Sequence, residues 1–114
     1  MKQDALQMSL LFDYYGELLS EKQRVCFDLY YNQDLSLSEI ASELGITRQG
    51  VHDSLSRAET ALGEFERVTG CIARDRRLES ALDTITQNAQ ALASVPGAAP
   101  QVGAILRAVR EIKE

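Results

Sequence analysis

The sequence predicts an all-α protein built around a helix-turn-helix motif, and three observations carry that prediction. Leu, Ala, Glu, Gln and Arg dominate while strand-type runs of Val, Ile and Thr are absent. Apolar residues recur at three- and four-residue steps along most of the chain, and both prolines, Pro96 and Pro100, fall late. Between Leu37 and Ser56, Ile40, Ala41, Leu44, Gly45, Ile46 and Val51 stand at the spacing of two short crossing helices. Ala41 is small where the second helix crosses at close range. Gly45, four positions on, supplies the left-handed turn residue that a side chain would oppose. Val51 fills the crevice between the two helices, with Ile40, Leu44, Ile46 and Leu55 facing the remaining core.

Each element has its own signal. In residues 4–19, Leu6, Leu10, Tyr14 and Leu18 recur every four residues with Leu11 and Tyr15 beside them, which predicts a first helix with one wide apolar face turned inward and a bend near Gly16. Ser20 and Gln23 form a capping box that opens a second helix, with Val25, Cys26, Leu29 and Tyr30 as its buried stripe and residues 32–34 as its exit. Tyr14, Tyr15, Tyr30 and Tyr31 read as core residues with a hydroxyl at the rim rather than as a platform for bases. Ser36 and Glu39 repeat the capping box for the first motif helix, which ends at Leu44. Thr47 caps the next, whose stripe of Val51, Leu55, Ala58, Leu62 and Phe65 continues to Arg67 or Thr69 before Gly70 stops it. A helix of that length does more than enter a groove, so its C-terminal half must be covered by the first helix or by a second copy of the chain. Residues 72–94 form another long helix with Leu78, Leu82, Ile85, Ala89 and Leu92 in line. Residues 93–101, with two Pro and one Gly, connect it to a last amphipathic helix carrying Val102, Ile105, Leu106, Val109 and Ile112. The organisation is therefore a helix-turn-helix domain over residues 1–70 and a helical extension over 71–114 with a break near 94–101.

Charge limits the partners. The chain carries a formal −5, unevenly divided: residues 1–70 hold twelve acidic against six basic side chains, while the remainder is close to neutral at +1. Duplex affinity comes largely from neutralised phosphates, so the acidic motif-bearing half argues against an autonomous DNA binder. One Lys ahead of an apolar patch bracketed by Asp4 and Asp13, with no cleavage site, is not a signal peptide, and no run approaches the roughly 20 apolar residues of a membrane span. A cytoplasmic protein without membrane insertion is expected, with Cys26 and Cys71 as small apolar side chains rather than a disulfide. Beside those two cysteines His52 is the only histidine, and CxxC spacing is missing, so no metal is expected. The chain lacks a nucleophile with a base beside it, a glycine-rich phosphate loop, HExxH and clustered acids. An enzyme is not expected, and neither catalytic residues nor a cofactor is assigned.

Recognition remains. Arg48, Gln49, His52, Asp53 and Arg57, with Ser56, project outward from the second motif helix. In a DNA reader Arg48 would suit guanine and Gln49 adenine, but Asp53 would be repelled by phosphates. The alternative is a solvated polar face in which Arg57 pairs with Asp53 across one turn. Arg74, Arg76 and Arg77 are a candidate secondary basic contact for RNA phosphate or an acidic surface, or else a solvated face paired with Asp75 and Glu79.

Two blocks carry a resemblance. LLFDYYGELLSEKQR contributes Leu11, Phe12, Asp13, Tyr14, Tyr15, Gly16, Leu18, Leu19, Lys22 and Gln23. DLSLSEIASELGITRQGVHDSLSRAE contributes Asp34, Leu35, Ser36, Leu37, Glu39, Ile40, Ala41, Arg48, Gln49, Val51, Asp53 and Arg57. Over roughly the first 60 residues the chain resembles the YlxM-like family of small bacterial helix-turn-helix proteins, which is similar to the promoter-reading C-terminal region of sigma factors. Thr47 stands where the family usually has Ser, and after residue 70 the chain departs from the pattern. Members typically lie in operons with the signal recognition particle GTPase. The resemblance therefore implies a regulatory or accessory role in co-translational targeting, with that GTPase or the particle's RNA as partner. A DNA-binding transcriptional regulator is the alternative, and the seam-like stripes of the two long helices point to a homodimer.

Overall fold

A computed structural model describes residues 4–114, and the chain divides into two compact units at Gly70. Met1, Lys2 and Gln3, counted above in the charge balance and the opening patch, lie outside the described residues. Among the described residues every regular element is helical, so the protein is all-α.

In the first unit, α1 spans Ala5–Tyr15 and is capped by Asp4, whose Oδ1 accepts from the backbone N–H of Leu6 at 3.1 Å and of Gln7 at 3.2 Å. A 3₁₀ turn, Gly16–Leu18, follows. Then comes α2, Glu21–Phe27, opened by the reciprocal Ser20 and Gln23 capping box and continued by a π-helical turn over Asp28–Asn32. Asp34, at φ 57°, makes the left-handed step into α3, Leu37–Leu44. There Glu39 N–H donates to Ser36 Oγ at 3.1 Å and Ser36 N–H donates to Glu39 Oε1 at 2.8 Å. Gly45, at φ 68°, ends α3 where a Cβ would be strained, and Thr47 caps α4, Arg48–Thr69, through Gly50 N–H at 2.9 Å.

The core of this unit is one face of α4. Val51, Leu55, Ala58 and Leu62 are buried along it, and α1, α2 and α3 all pack against it. Ile40 and Ala41 close the motif from α3, while Leu44 and Ile46 are only half-buried. The long C-terminal half of α4 is covered by α1. Tyr15 donates to Glu66 Oε1 at 2.5 Å, its hydroxyl lies 2.7 Å from Thr69 Oγ1, and its ring sits 6.0 Å from that of Phe65.

Three expectations for the core need correcting. The buried face of α1 is Met8, Leu11 and Tyr15, whereas Leu6 is 85% exposed and Leu18 63% exposed. A four-residue step overshoots one helical turn by about 40°, so a stripe at 6, 10, 14 and 18 winds away from any flat neighbour. The 3₁₀ turn at Gly16 then shifts the register again. Of the stripe Val25, Cys26, Leu29 and Tyr30 only Cys26 is buried, the other three being half-buried, and the largest buried side chain of α2 is Phe27, outside that stripe. Phe27 stacks between Phe12, with centroids at 4.6 Å, and Tyr31, at 4.4 Å. Gly16 makes this possible, because a Cβ there would stand 3.0 Å from Phe12 Cδ1. Of the four tyrosines expected in the core only Tyr15 is buried: Tyr31, half-buried, donates to Glu59 on α4, Tyr30, also half-buried, sits edge-on to Tyr31 at 5.2 Å, and Tyr14, beside Tyr15 at 5.9 Å, is exposed.

The second unit is an antiparallel pair, α5 over Cys71–Ala91 and α6 over Ala99–Lys113, with a 3₁₀ turn, Leu92–Ser94, after α5. Leu82 and Ala89 are buried on α5, and Val102 and Val109 on α6. Lys113 Nζ lies 3.1 Å from Asp83 Oδ1. Pro100 falls inside the first turn of α6 rather than in the connector, a position where its missing N–H and fixed φ cost nothing.

Leu62→Ala is expected to lower unfolding stability by about 2–5 kcal/mol, because it opens a cavity against α4's packed face. Leu6→Ala, at an exposed position, should stay within about 0.5 kcal/mol, and equal losses in chemical denaturation would contradict the assigned α1 face. The Ser36 backbone hydrogen bond holds the exposed Glu39 carboxyl below its ordinary pKa. A depressed folded-state pKa contributes stability above the unfolded value that is lost as pH falls through the folded one. Glu39→Gln keeps the box but not the titration, so its stability should fall less steeply on acidification below the ordinary glutamate range.

Candidate recognition surface

The N-terminal turns of α4 present Arg48, Gln49, His52, Asp53, Ser56 and Arg57, all exposed. Their opposite side is Val51, Ser54 and Leu55, which are buried, so packing fixes the direction in which the exposed set faces. The Thr47 cap places Arg48 at the first helical position.

Within this set the carboxylate is the hub. Gln49 Nε2 donates to Asp53 Oδ1 at 2.9 Å, and His52 Nδ1 lies 3.7 Å from the same oxygen. The expected Arg57 and Asp53 pair does not form. Residues four apart lie on one strip of helix, and Asp53 stands four from both Gln49 and Arg57, with the amide as its hydrogen-bond partner. Among the described residues Arg48 and Arg57 take part in no ion pair within 4.0 Å. Arg57 instead lines a depression of about 250 Å³ with Lys22, Ser20, Gln23, Gly50 and Asp53. Lys22 was absent from the sequence-predicted set. The signal lay in the SEKQ capping box, which puts Lys22 in the first turn of the helix before the motif. That α2 would lie along α4 is a tertiary fact that no local pattern contains.

A second depression, about 400 Å³, lies nearby and is mainly apolar, lined by Glu21, Lys22, Val25, Leu44 and Ile46. Sequence spacing assigned Leu44 and Ile46 to the core, and the structure leaves them half-buried at its edge. Arg74, Arg76 and Arg77 belong to the second unit and are exposed on the first turns of α5. They do not share one face, since roughly 100° per residue sets Arg76 about 200° from Arg74. The pairing expected with Asp75 and Glu79 is not formed by these arginines, which take part in no ion pair among the described residues.

The helix-turn-helix geometry and this surface coincide with a sequence match. Residues 2–96 match the family described as "Putative helix-turn-helix protein, YlxM / p13 like". The chain belongs to that family. Its relatives include a UPF0122 protein of Thermoanaerobacter sp. (strain X514), 48% identical over 85 residues, covering 75% of this chain and 73% of that one. Another, from Caldanaerobacter subterraneus subsp. tengcongensis, is 42% identical over 87 residues, 76% and 74% of the two chains. A third, from Lacticaseibacillus casei, is 39% identical over 84 residues, 74% of each.

In this YlxM/p13-like protein the match runs through the whole of α5 to residue 96, which corrects the expectation that the chain departs from the family pattern after residue 70. Among the described residues no helix is long and apolar enough to cross a membrane. Arg48→Glu combined with Arg57→Glu should change unfolding stability by no more than about 0.5 kcal/mol, since both side chains are exposed without an ion partner among the described residues. Tyr15→Phe, which removes the hydroxyl shared with Glu66 and Thr69, should cost about 1 kcal/mol in the same denaturation experiment.

Proposed function

We propose that this protein is a non-enzymatic regulatory or accessory factor of the signal recognition particle pathway, and that the N-terminal turns of α4 dock on the particle's GTPase. The resemblance of its first sixty residues to the YlxM-like family implies the pathway. The observation that favours a protein contact is the charge of the surface. Asp53, held by Gln49 and His52, sits at its centre, and the first seventy residues carry twice as many acids as bases. A phosphate-tracking surface needs one cation per neutralised phosphate, and three cations, Lys22, Arg48 and Arg57, are few for that purpose. Mixed charge with two shallow depressions, one of them apolar, suits a protein partner with its own mixture of charged and apolar side chains. The particle's RNA is the second candidate within the same pathway, and the cytoplasm is where either would be met.

A DNA-binding regulator remains the competing reading, favoured by the exposed Arg48 at the start of α4 and the cation pair beside Gly50.

Titration of the labelled protein against the GTPase, the particle RNA and random-sequence duplex DNA at physiological salt separates the three. Binding to the GTPase is expected, weakened at least tenfold, or about 1.4 kcal/mol, by Arg48→Glu with Arg57→Glu. Unchanged binding by that variant would remove α4 from the interface. A salt-sensitive, sequence-dependent shift of duplex DNA, with no binding to GTPase or RNA, would replace the proposal with the regulator.

A further inference from the structure

The α5–α6 pair has two unlike sides. Its helices meet through Leu82 and Ala89 on α5 and Val102 and Val109 on α6, each pair seven residues apart and buried. Beside each buried line runs a second seven-residue stripe, Leu78 and Ile85 on α5 continued by Leu92 in the 3₁₀ turn, and Ile105 and Ile112 on α6. These five side chains are between 37% and 57% exposed. Seven residues make just under two helical turns, so each stripe stays on one side of its helix. Both stripes are rotated from the buried line in the same sense of residue number. In antiparallel helices that places them on the same side of the pair. At one end of the pair Leu78, Leu82 and Ile112 line a depression of about 410 Å³ that Asp75, Glu79 and Lys113 also border. The other side is mixed: its depression is lined by Thr86, Gln90, Arg110, Lys113 and Glu114 together with Leu106 and Val109.

We propose that the apolar side of this hairpin is covered by the same side of a second copy, making a two-fold symmetric four-helix bundle. Three features select this occupant. Positions that flank the stripes towards the same side are Ala81 and Asn88 on α5 and Gln101 and Ala108 on α6, so the face has no charge at its centre. Charges border the face only at its end, where Arg74 precedes Ala81 by seven residues and Asp75, Glu79 and Lys113 line the depression, so a highly charged partner finds no match along its middle. The unit carrying the face has a balance of only +1, so two copies approach without the repulsion that the −6 half would impose. The size also fits: at 1.5 Å per residue the 21-residue α5 and 15-residue α6 are about 31 and 22 Å long. Two helices roughly 10 Å apart, each about 10 Å across, then offer about 500 Å² per partner in projection, or about 1,000 Å² in total, the lower limit of a specific interface. The seven-residue spacing is what bundle helices use to interdigitate, and an isologous contact needs only one such face.

This inference does not depend on what α4 contacts, and its test has no pathway component in it. The mass of the 114-residue chain in solution, measured by light scattering or sedimentation at micromolar concentration, should be twice 12.6 kDa. Ile85→Glu and Leu78→Glu should each shift it to the single-chain mass while circular dichroism keeps its helical signal. Gln90→Glu, on the other side, should leave the dimer intact. Ile85→Ala preserves helix propensity and should raise the dimer dissociation constant at least tenfold, which keeps the test decisive if a glutamate variant loses helicity. A wild-type chain that runs at 12.6 kDa would overturn the proposal. So would a dimer that survives all three substitutions on the apolar side.

Discussion

The first unit rests on a single shared wall. One face of α4, Val51, Leu55, Ala58 and Leu62, receives α1, α2 and α3, so none of those helices can bury its own apolar side without it. Helices of 7, 8 and 11 residues are too short to persist alone in water, and their order comes from this docking. The same constraint aims the recognition surface. Since Val51 and Leu55 are fixed in the core, the exposed residues around them, Arg48, Gln49, His52, Asp53, Ser56 and Arg57, face outward in a set direction. The backbone beneath that surface is therefore held by the packing behind it, while the exposed arginine side chains would still have to be ordered in any contact.

The aromatic stack transmits that order to the rest of the unit. Phe12 from α1 and Tyr31 from the π-helical turn sandwich Phe27, each ring pair contributing about 0.5–1.5 kcal/mol beyond the area it buries. The π-helical turn aims Tyr31 twice over, its ring on Phe27 and its hydroxyl on Glu59 of α4. Gly16 admits the Phe12 ring, which gives the LFDYYG block a mechanical meaning. Tyr15 in that block reaches Glu66 and Thr69, fixing α1 near the far end of α4 while the stack fixes it nearer the middle.

What was legible in the sequence was local. Capping boxes at Ser20 and Ser36, the stop at Gly45 and the long run of α4 to Gly70 are hydrogen-bond patterns written within a few residues, and the structure reproduces them. What was illegible required knowing neighbours. Of the wide face expected on α1, Leu11 and Tyr15 are buried as read, but the ladder itself is not: Leu6, Tyr14 and Leu18 are exposed, and Met8 completes the buried face. Phe27 was passed over because an isolated aromatic beside a half-buried stripe has no periodic signature. In the surface on α4, outward residues followed from the period of the helix. Lys22 did not, since its proximity to Arg57 depends on how α2 crosses α4. Asp53 could choose between two residues four away, and only geometry shows that it takes Gln49.

The charge division gains its meaning from these two surfaces. An acidic unit that presents a few cations around a held carboxylate discriminates by arrangement rather than by total field, because long-range attraction to nucleic acid is weak and each nearby charge must be matched. A near-neutral hairpin with an uncharged apolar side suits the opposite task, contact with an identical surface that brings the same charges to the meeting. Separating the two tasks along the chain lets each half keep the composition its contact demands. Had the seven-residue stripes been built into α1 or α4, self-association would have brought two −6 surfaces together and covered residues that the recognition face needs. In the proposed dimer the stripes lie after Gly70, in the near-neutral part of the chain.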